Sequence, residues 1–144
     1  MPAQDRYHEI MVEALTAEGW KITDDPFRLK YGNRNLWVDL GAEYETLAAE
    51  KAGRKIAIEI KSFSRQSEVE DLEKAIGQYN LYRDILSETE PDRELYLAIP
   101  FRTFSGIFDE KLGQLVLRRQ RLNLIVFDEQ KGSIHQWIPE TLKK

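Results

Sequence analysis

One stretch constrains the fold more than any other. From Lys55 to Phe63, Ile56, Ile58 and Ile60 alternate with Ala57, Glu59 and Lys61, the period of two that a β-strand requires. Residues i and i+2 of a strand face the same way, so Glu59 and Lys61 emerge side by side while Ile60 points into a core. The chain must therefore build a sheet that buries an isoleucine row and carries a carboxylate and an ammonium together near one strand end.

The remaining pattern surrounds that strand with helices and further strands. A helix is expected from Gln4 to Glu18, with Tyr7, Ile10, Met11, Ala14 and Leu15 at helical spacing and Gly19 as its stop. Trp20, Ile22 and Phe27 to Tyr31 read as extended around the Asp25-Pro26 breaker, and Gly32-Asn33 as a turn. Leu36 to Leu40 is a short strand before a turn at Gly41, and Thr46 to Glu50 a further one. A second long helix spans Ser67 to Leu86, with Val69, Leu72, Ile76 and Tyr79 as its buried stripe and Ser67/Glu70 in the form of a capping box.

Leu95 to Ile99 is a strand ending at Pro100, followed by an amphipathic helix from Phe104 to Gln120 whose Phe104, Ile107 and Phe108 are expected in the core. Strands Leu122 to Asp128 and Ser133 to Ile138 flank a turn at Lys131-Gly132. The order α-β-β-β-α-β-α-β-β implies an α/β or α+β architecture, a central sheet covered by helices. It is not a Rossmann repeat, because the first strands come in succession and no G-x-G-x-x-G follows any of them.

Composition sets the limits. With 144 residues, one domain over 1–144 is expected. The chain has no cysteine, which excludes disulfides, thiolate zinc sites and thiol catalysis together. No apolar run reaches membrane-spanning length and the polar start is unlike a signal peptide, so a cytoplasmic protein is expected. The net charge of −4 disfavours a duplex-coating protein, although basic residues gather at Lys51, Arg54, Lys55, Lys61 and Arg65 and at Arg118, Arg119 and Arg121.

Chemistry concentrates around Glu59-Ile60-Lys61. A carboxylate beside an ammonium suits metal-assisted phosphodiester cleavage: an ion polarises the phosphate and acidifies its water, and the lysine offsets transition-state charge. Mg²⁺ takes one or two carboxylates plus waters. Asp39, 20 residues upstream of Glu59, could supply the second, and Glu50 is a rival for that place. Glu9 is a candidate third acid. Gln78 and Tyr82 lie four apart on one face of the second helix, where they could contact a phosphate or a base. His8 reads as a core-rim histidine, and His135 has no evident partner.

Asp39 followed by Glu59-Ile60-Lys61 resembles the acid and E-x-K elements of the PD-(D/E)XK nuclease superfamily, with Val38 in the place of its proline. Gln78-Tyr79-Asn80-Leu81-Tyr82 is similar to the Q-x-x-x-Y element of RecB-type nucleases. Over almost the whole chain, the segments Asp5-Arg6-Tyr7-His8, Gly19-Trp20-Lys21-Ile22-Thr23, Asp39-Leu40-Gly41-Ala42-Glu43, Ala49-Glu50-Lys51, Ile58-Glu59-Ile60-Lys61-Ser62-Phe63, Gly77-Gln78-Tyr79 and Leu95-Tyr96-Leu97-Ala98 resemble the XisH family. These are largely cyanobacterial proteins called fdxN-element excision controlling factors.

The resemblance implies a restriction-endonuclease-like core with a central mixed sheet. It implies a role in DNA rearrangement, with DNA, an XisI-like protein and a site-specific recombinase as partners. As an enzyme, the chain would be a Mg²⁺- or Mn²⁺-dependent endodeoxyribonuclease. Asp39, Glu59 and the Ile60 carbonyl would hold the metal, Lys61 would act in catalysis, and Gln78 and Tyr82 would position substrate. A homodimer would suit cutting of both strands. The alternative is a non-catalytic nuclease-fold factor that binds an XisI-like partner or DNA and regulates the recombinase.

Overall fold

The computed structural model describes residues 7–44, 53–63 and 66–140. Helix α1 (His8–Ala17) is followed by β1 (Lys21–Asp24), β2 (Phe27–Tyr31), β3 (Arg34–Val38), β4 (Leu40–Tyr44) and β5 (Arg54–Ile60). Then come α2 (Glu68–Thr89), β6 (Arg93–Pro100), the short α3 (Phe101–Phe104), a 3-10 turn (Ile107–Asp109), α4 (Lys111–Arg119), β7 (Leu124–Asp128) and β8 (Ser133–Ile138). Six strands form a mixed sheet in the order β1-β4-β5-β6-β7-β8, and β2 pairs with β3 in a separate two-stranded ribbon. β5, β6 and β7 are parallel neighbours. The parallel step from β5 to β6 needs a long crossover, which α2 provides.

The β5 alternation decides which residues meet which layer. Ile56, Ile58 and Ile60 pack with Tyr7 and with Met11 and Leu15 of α1 on one face. Ala57 turns to the other face, into a core with the ribbon's Phe27, Leu29 and Val38 and with Leu72, Tyr79 and Tyr82 of α2. Glu59 shares the side of Ala57, so it points toward α2 and the ribbon. Tyr79 fastens α2 to the sheet: its buried hydroxyl donates to the Leu95 carbonyl at 3.1 Å and accepts from the Asn123 N–H at 3.0 Å.

Several expectations are corrected. The strand expected over Leu36–Leu40 breaks at Asp39, and Gly41 lies inside β4 rather than in a turn. A Cβ at Gly41 would stand 2.8 Å from the Phe27 ring, so glycine there admits the base of the ribbon. Val69 is exposed, and the buried stripe of α2 runs instead through Leu72, Ala75, Tyr79, Tyr82, Ile85 and Leu86. Ser67 precedes α2 without a side-chain capping bond, while Glu68, Glu70 and Asp71 supply the negative charge that suits a helix N-terminus. The single helix expected over Phe104–Gln120 is divided into α3, the 3-10 turn and α4. The strand proposed over Thr46–Glu50 and the start of the first helix, residues 4–6, lie outside the described residues.

Candidate active site

The site forms where β5 ends and β3 passes into β4. Leu40 pairs with Ile58 in the antiparallel β4–β5 ladder, so the next position on each strand sets Asp39 against Glu59. Asp39 Oδ2 accepts the Ile60 N–H at 2.7 Å, which pins this carboxylate to the backbone between Glu59 and Lys61. Glu59 is only 7% exposed. Its Oε2 lies 3.6 Å from Lys61 Nζ, and its buried Oε1 has no hydrogen-bond partner among the described residues.

The electrostatics follow from that geometry. Burial pushes the Glu59 carboxyl up to about 8, helped by the neighbouring charge of Asp39 and opposed less strongly by Lys61 and the Asp39 backbone N–H. Tyr82 of α2, also 7% exposed, is pushed up to about 12 by burial and by the charges of Glu59 and Asp39. Its hydroxyl therefore stays protonated through the neutral range. Gln78 stands one turn earlier on α2, and its Oε1 is buried without a partner among the described residues. Two carboxylates and an ammonium thus converge at the carboxyl end of β5, the end at which α/β sheets bind ligands.

Not every candidate joins this group. Glu9 is exposed on α1, whose buried side covers the opposite face of the sheet. No cluster of three or more acidic or histidine side chains suited to a metal ion forms among the described residues. Glu50 lies outside them, as do Lys51 and Arg65. His8 is 3% exposed and its Nε2 lies 2.8 Å from Asp25 Oδ1, as befits a histidine at a core rim. His135 packs edge-on against Phe101, with ring centroids 4.8 Å apart. Ile107 and Phe108 are buried and Phe104 packs partly against them, as expected.

A residue that the sequence reading missed supports the site from below. After Lys61, whose N–H bonds the Ala98 carbonyl at 2.9 Å, the chain turns sharply, and Phe63 adopts φ 55°. A bulky side chain in the left-handed region is strained, but Phe63 is buried against Phe108. Arg102 of α3 straddles this turn, donating to the carbonyls of Phe63 at 3.0 Å and Ser62 at 2.5 Å. Nothing in the sequence marks it, because a lone arginine after a strand looks like any surface cation.

Fold and site together define an α/β protein with a mixed six-stranded sheet and a buried acid pair beside a lysine. The chain belongs to the XisH family: the family model described as XisH protein matches residues 1–135. The crystal structure of an XisH family protein from Nostoc punctiforme PCC 73102 is 34% identical, covering 92% of this chain and 98% of that one, with a TM-score of 0.83. That of an fdxN element excision controlling factor protein from Anabaena variabilis is 37% identical, covering 94% and 99%, also with a TM-score of 0.83. The comparison with curated proteins finds no match. No helix among the described residues is long and apolar enough to cross a membrane.

Proposed function

We propose that the chain is a Mg²⁺- or Mn²⁺-dependent endodeoxyribonuclease on a restriction-endonuclease-like core, acting in DNA rearrangement of the element-excision kind. The observation that carries this reading is the Asp39–Glu59 pair, with a buried Glu59 oxygen that has no partner among the described residues and Lys61 Nζ 3.6 Å from its other oxygen. A hard divalent cation fits these donors: both are carboxylates, and a positive charge would relieve the burial and repulsion that raise Glu59. Asp39, Glu59 and the Ile60 carbonyl would hold it. Such an ion, when bound, polarises a phosphate and lowers the pKa of a water.

The chain's own groups do the rest. Lys61 Nζ donates to a phosphate oxygen or to the attacking water and offsets charge as it develops. The Tyr82 hydroxyl, held protonated, donates to the substrate backbone, and Gln78 orients the strand from one turn away. A homodimer would bring two such sites to the two strands of a duplex, and an XisI-like protein would direct the activity together with a site-specific recombinase.

The test is cleavage of plasmid and branched DNA in Mg²⁺, Mn²⁺ or EDTA. Metal-dependent cutting is expected, lost in Glu59→Gln and reduced about 10²–10³-fold in Lys61→Ala. Cutting by either variant at the normal rate would refute the assignment. The net charge of −4 favours a second reading, a nuclease-fold factor that regulates a recombinase without cutting. Absence of cutting in either metal by well-folded protein would select it.

A further inference from the structure

The outward face of the β2–β3 ribbon is left unused by the acid pair. Along the ribbon, Phe27, Leu29, Leu36 and Val38 turn into the core, so Arg28, Lys30, Asn35 and Trp37 turn to solvent. The register sets Arg28 opposite Trp37 and Lys30 opposite Asn35. Trp37 is 45% exposed, whereas Trp20 and Trp137 are 5% and 9% exposed. A large indole held in water on a paired ribbon is a ready stacking platform. Arg28 and Lys30 form no ion pair or hydrogen bond among the described residues.

Charge singles out the same segment. Residues 27–38 contain three cations, Arg28, Lys30 and Arg34, and no acid, in a chain whose net charge is −4. The ribbon also leads directly to the site, since β3 ends at Val38 and Asp39 follows. At about 3.4 Å per residue, the Arg28–Trp37 pair lies about 7 Å along the strand from Asp39, and the Lys30–Asn35 pair about 14 Å. The cleft of about 470 Å³ between the ribbon tip and α2 is a different environment: Arg34 and Asn35 line it together with Asp84 and Glu88, whose charges would repel a polyanion. Within residues 27–38 the ribbon itself supplies no acid.

We infer that this face docks single-stranded DNA, with Trp37 stacked on an unpaired base and Arg28 and Lys30 on the phosphates that lead to Asp39. The inference rests on the nucleic-acid reading of the acid pair. An unpaired strand is the form that fits, because an indole stacks on a base face that a closed duplex hides, and two cations are few for a duplex.

The test is fluorescence anisotropy of a labelled single-stranded oligonucleotide in EDTA, where metal-dependent cleavage is silent. Arg28→Ala/Lys30→Ala is expected to weaken binding about tenfold at physiological salt. It should also make the slope of log K against log salt shallower by about 1.4, two phosphate contacts on a single strand. Trp37→Ala should lose at least about fivefold with the slope unchanged, and wild-type tryptophan fluorescence should be quenched on binding. Equal binding by wild type and both variants would overturn the inference and leave the face to a protein partner. A ribbon-dependent preference for closed duplex would overturn the commitment to an unpaired strand. All three side chains are exposed, so the variants should melt as wild type. Cleavage is scored separately: ribbon-dependent binding without cutting would sink only the nuclease reading, and cutting with ribbon-independent binding would sink only this one.

Discussion

Glu59 combines three circumstances that a purely structural residue would avoid: burial, an acidic neighbour and an oxygen without a hydrogen-bond partner among the described residues. Its pKa of about 8 stands above the ordinary 4.5, so between these values the native chain holds a proton that the unfolded chain has released. Native stability from this group is full below about pH 4.5, falls as pH rises, and is lost above about 8. In metal-free protein, the melting temperature of wild type relative to Glu59→Gln should therefore fall across that window. The loss approaches about 1.4 kcal/mol per pH unit within it. Parallel melting curves of the two proteins from pH 5 to 8.5 would show that Glu59 is not buried as described. Glu59→Gln should also melt higher than wild type at pH 8, the pattern of a site held at a cost in stability.

At the scale of elements, the β5 alternation was legible from the sequence because a strand's period needs no tertiary information. The Asp39–Glu59 pairing was legible only as two acids twenty residues apart; the β4–β5 register is what sets them together. The ribbon's basic face is not legible from the sequence, because Arg28 and Lys30 are scattered singly and share a face only once β2 is a strand. The 104–120 segment reads as one helix because its apolar spacing is helical, while its interruption depends on tertiary contact. A Cβ at Gly113 would meet the Ile107 carbonyl oxygen at 2.1 Å and Phe108 Cα at 2.4 Å. Backbone cannot yield as a side chain tip does, so Gly113→Ala should cost about 1–3 kcal/mol or more, read as a lower denaturation midpoint. An unchanged midpoint would contradict the packing of α4 on the 3-10 turn. Arg102→Ala should free the turn after Lys61, lowering the cleavage rate while leaving metal affinity unchanged; equal loss of both would make Arg102 merely structural.

Across the whole molecule, the sheet separates two kinds of work. On one face α1 and the isoleucine row form a core in which Trp20, Tyr96 and Trp137 pack at ring-centroid distances of 5.2–5.6 Å. On the other, α2 and the ribbon form a second core, and the acid pair stands at the ends of the strands that pack against it. The division explains why Glu9, well placed by its sequence pattern, stands away from the site: α1 covers the face to which Ile60, not Glu59, belongs. On the proposed reading, Asp39 and Glu59 together would bind a divalent cation. Calorimetric titration of Mn²⁺ tests it most directly, comparing wild type with Asp39→Asn, Glu59→Gln and Glu9→Gln. One Mn²⁺ per chain is expected for wild type and Glu9→Gln, with binding lost in the other two. Binding that survives both Asp39→Asn and Glu59→Gln, or that wild type lacks, would show that this acid pair holds no metal.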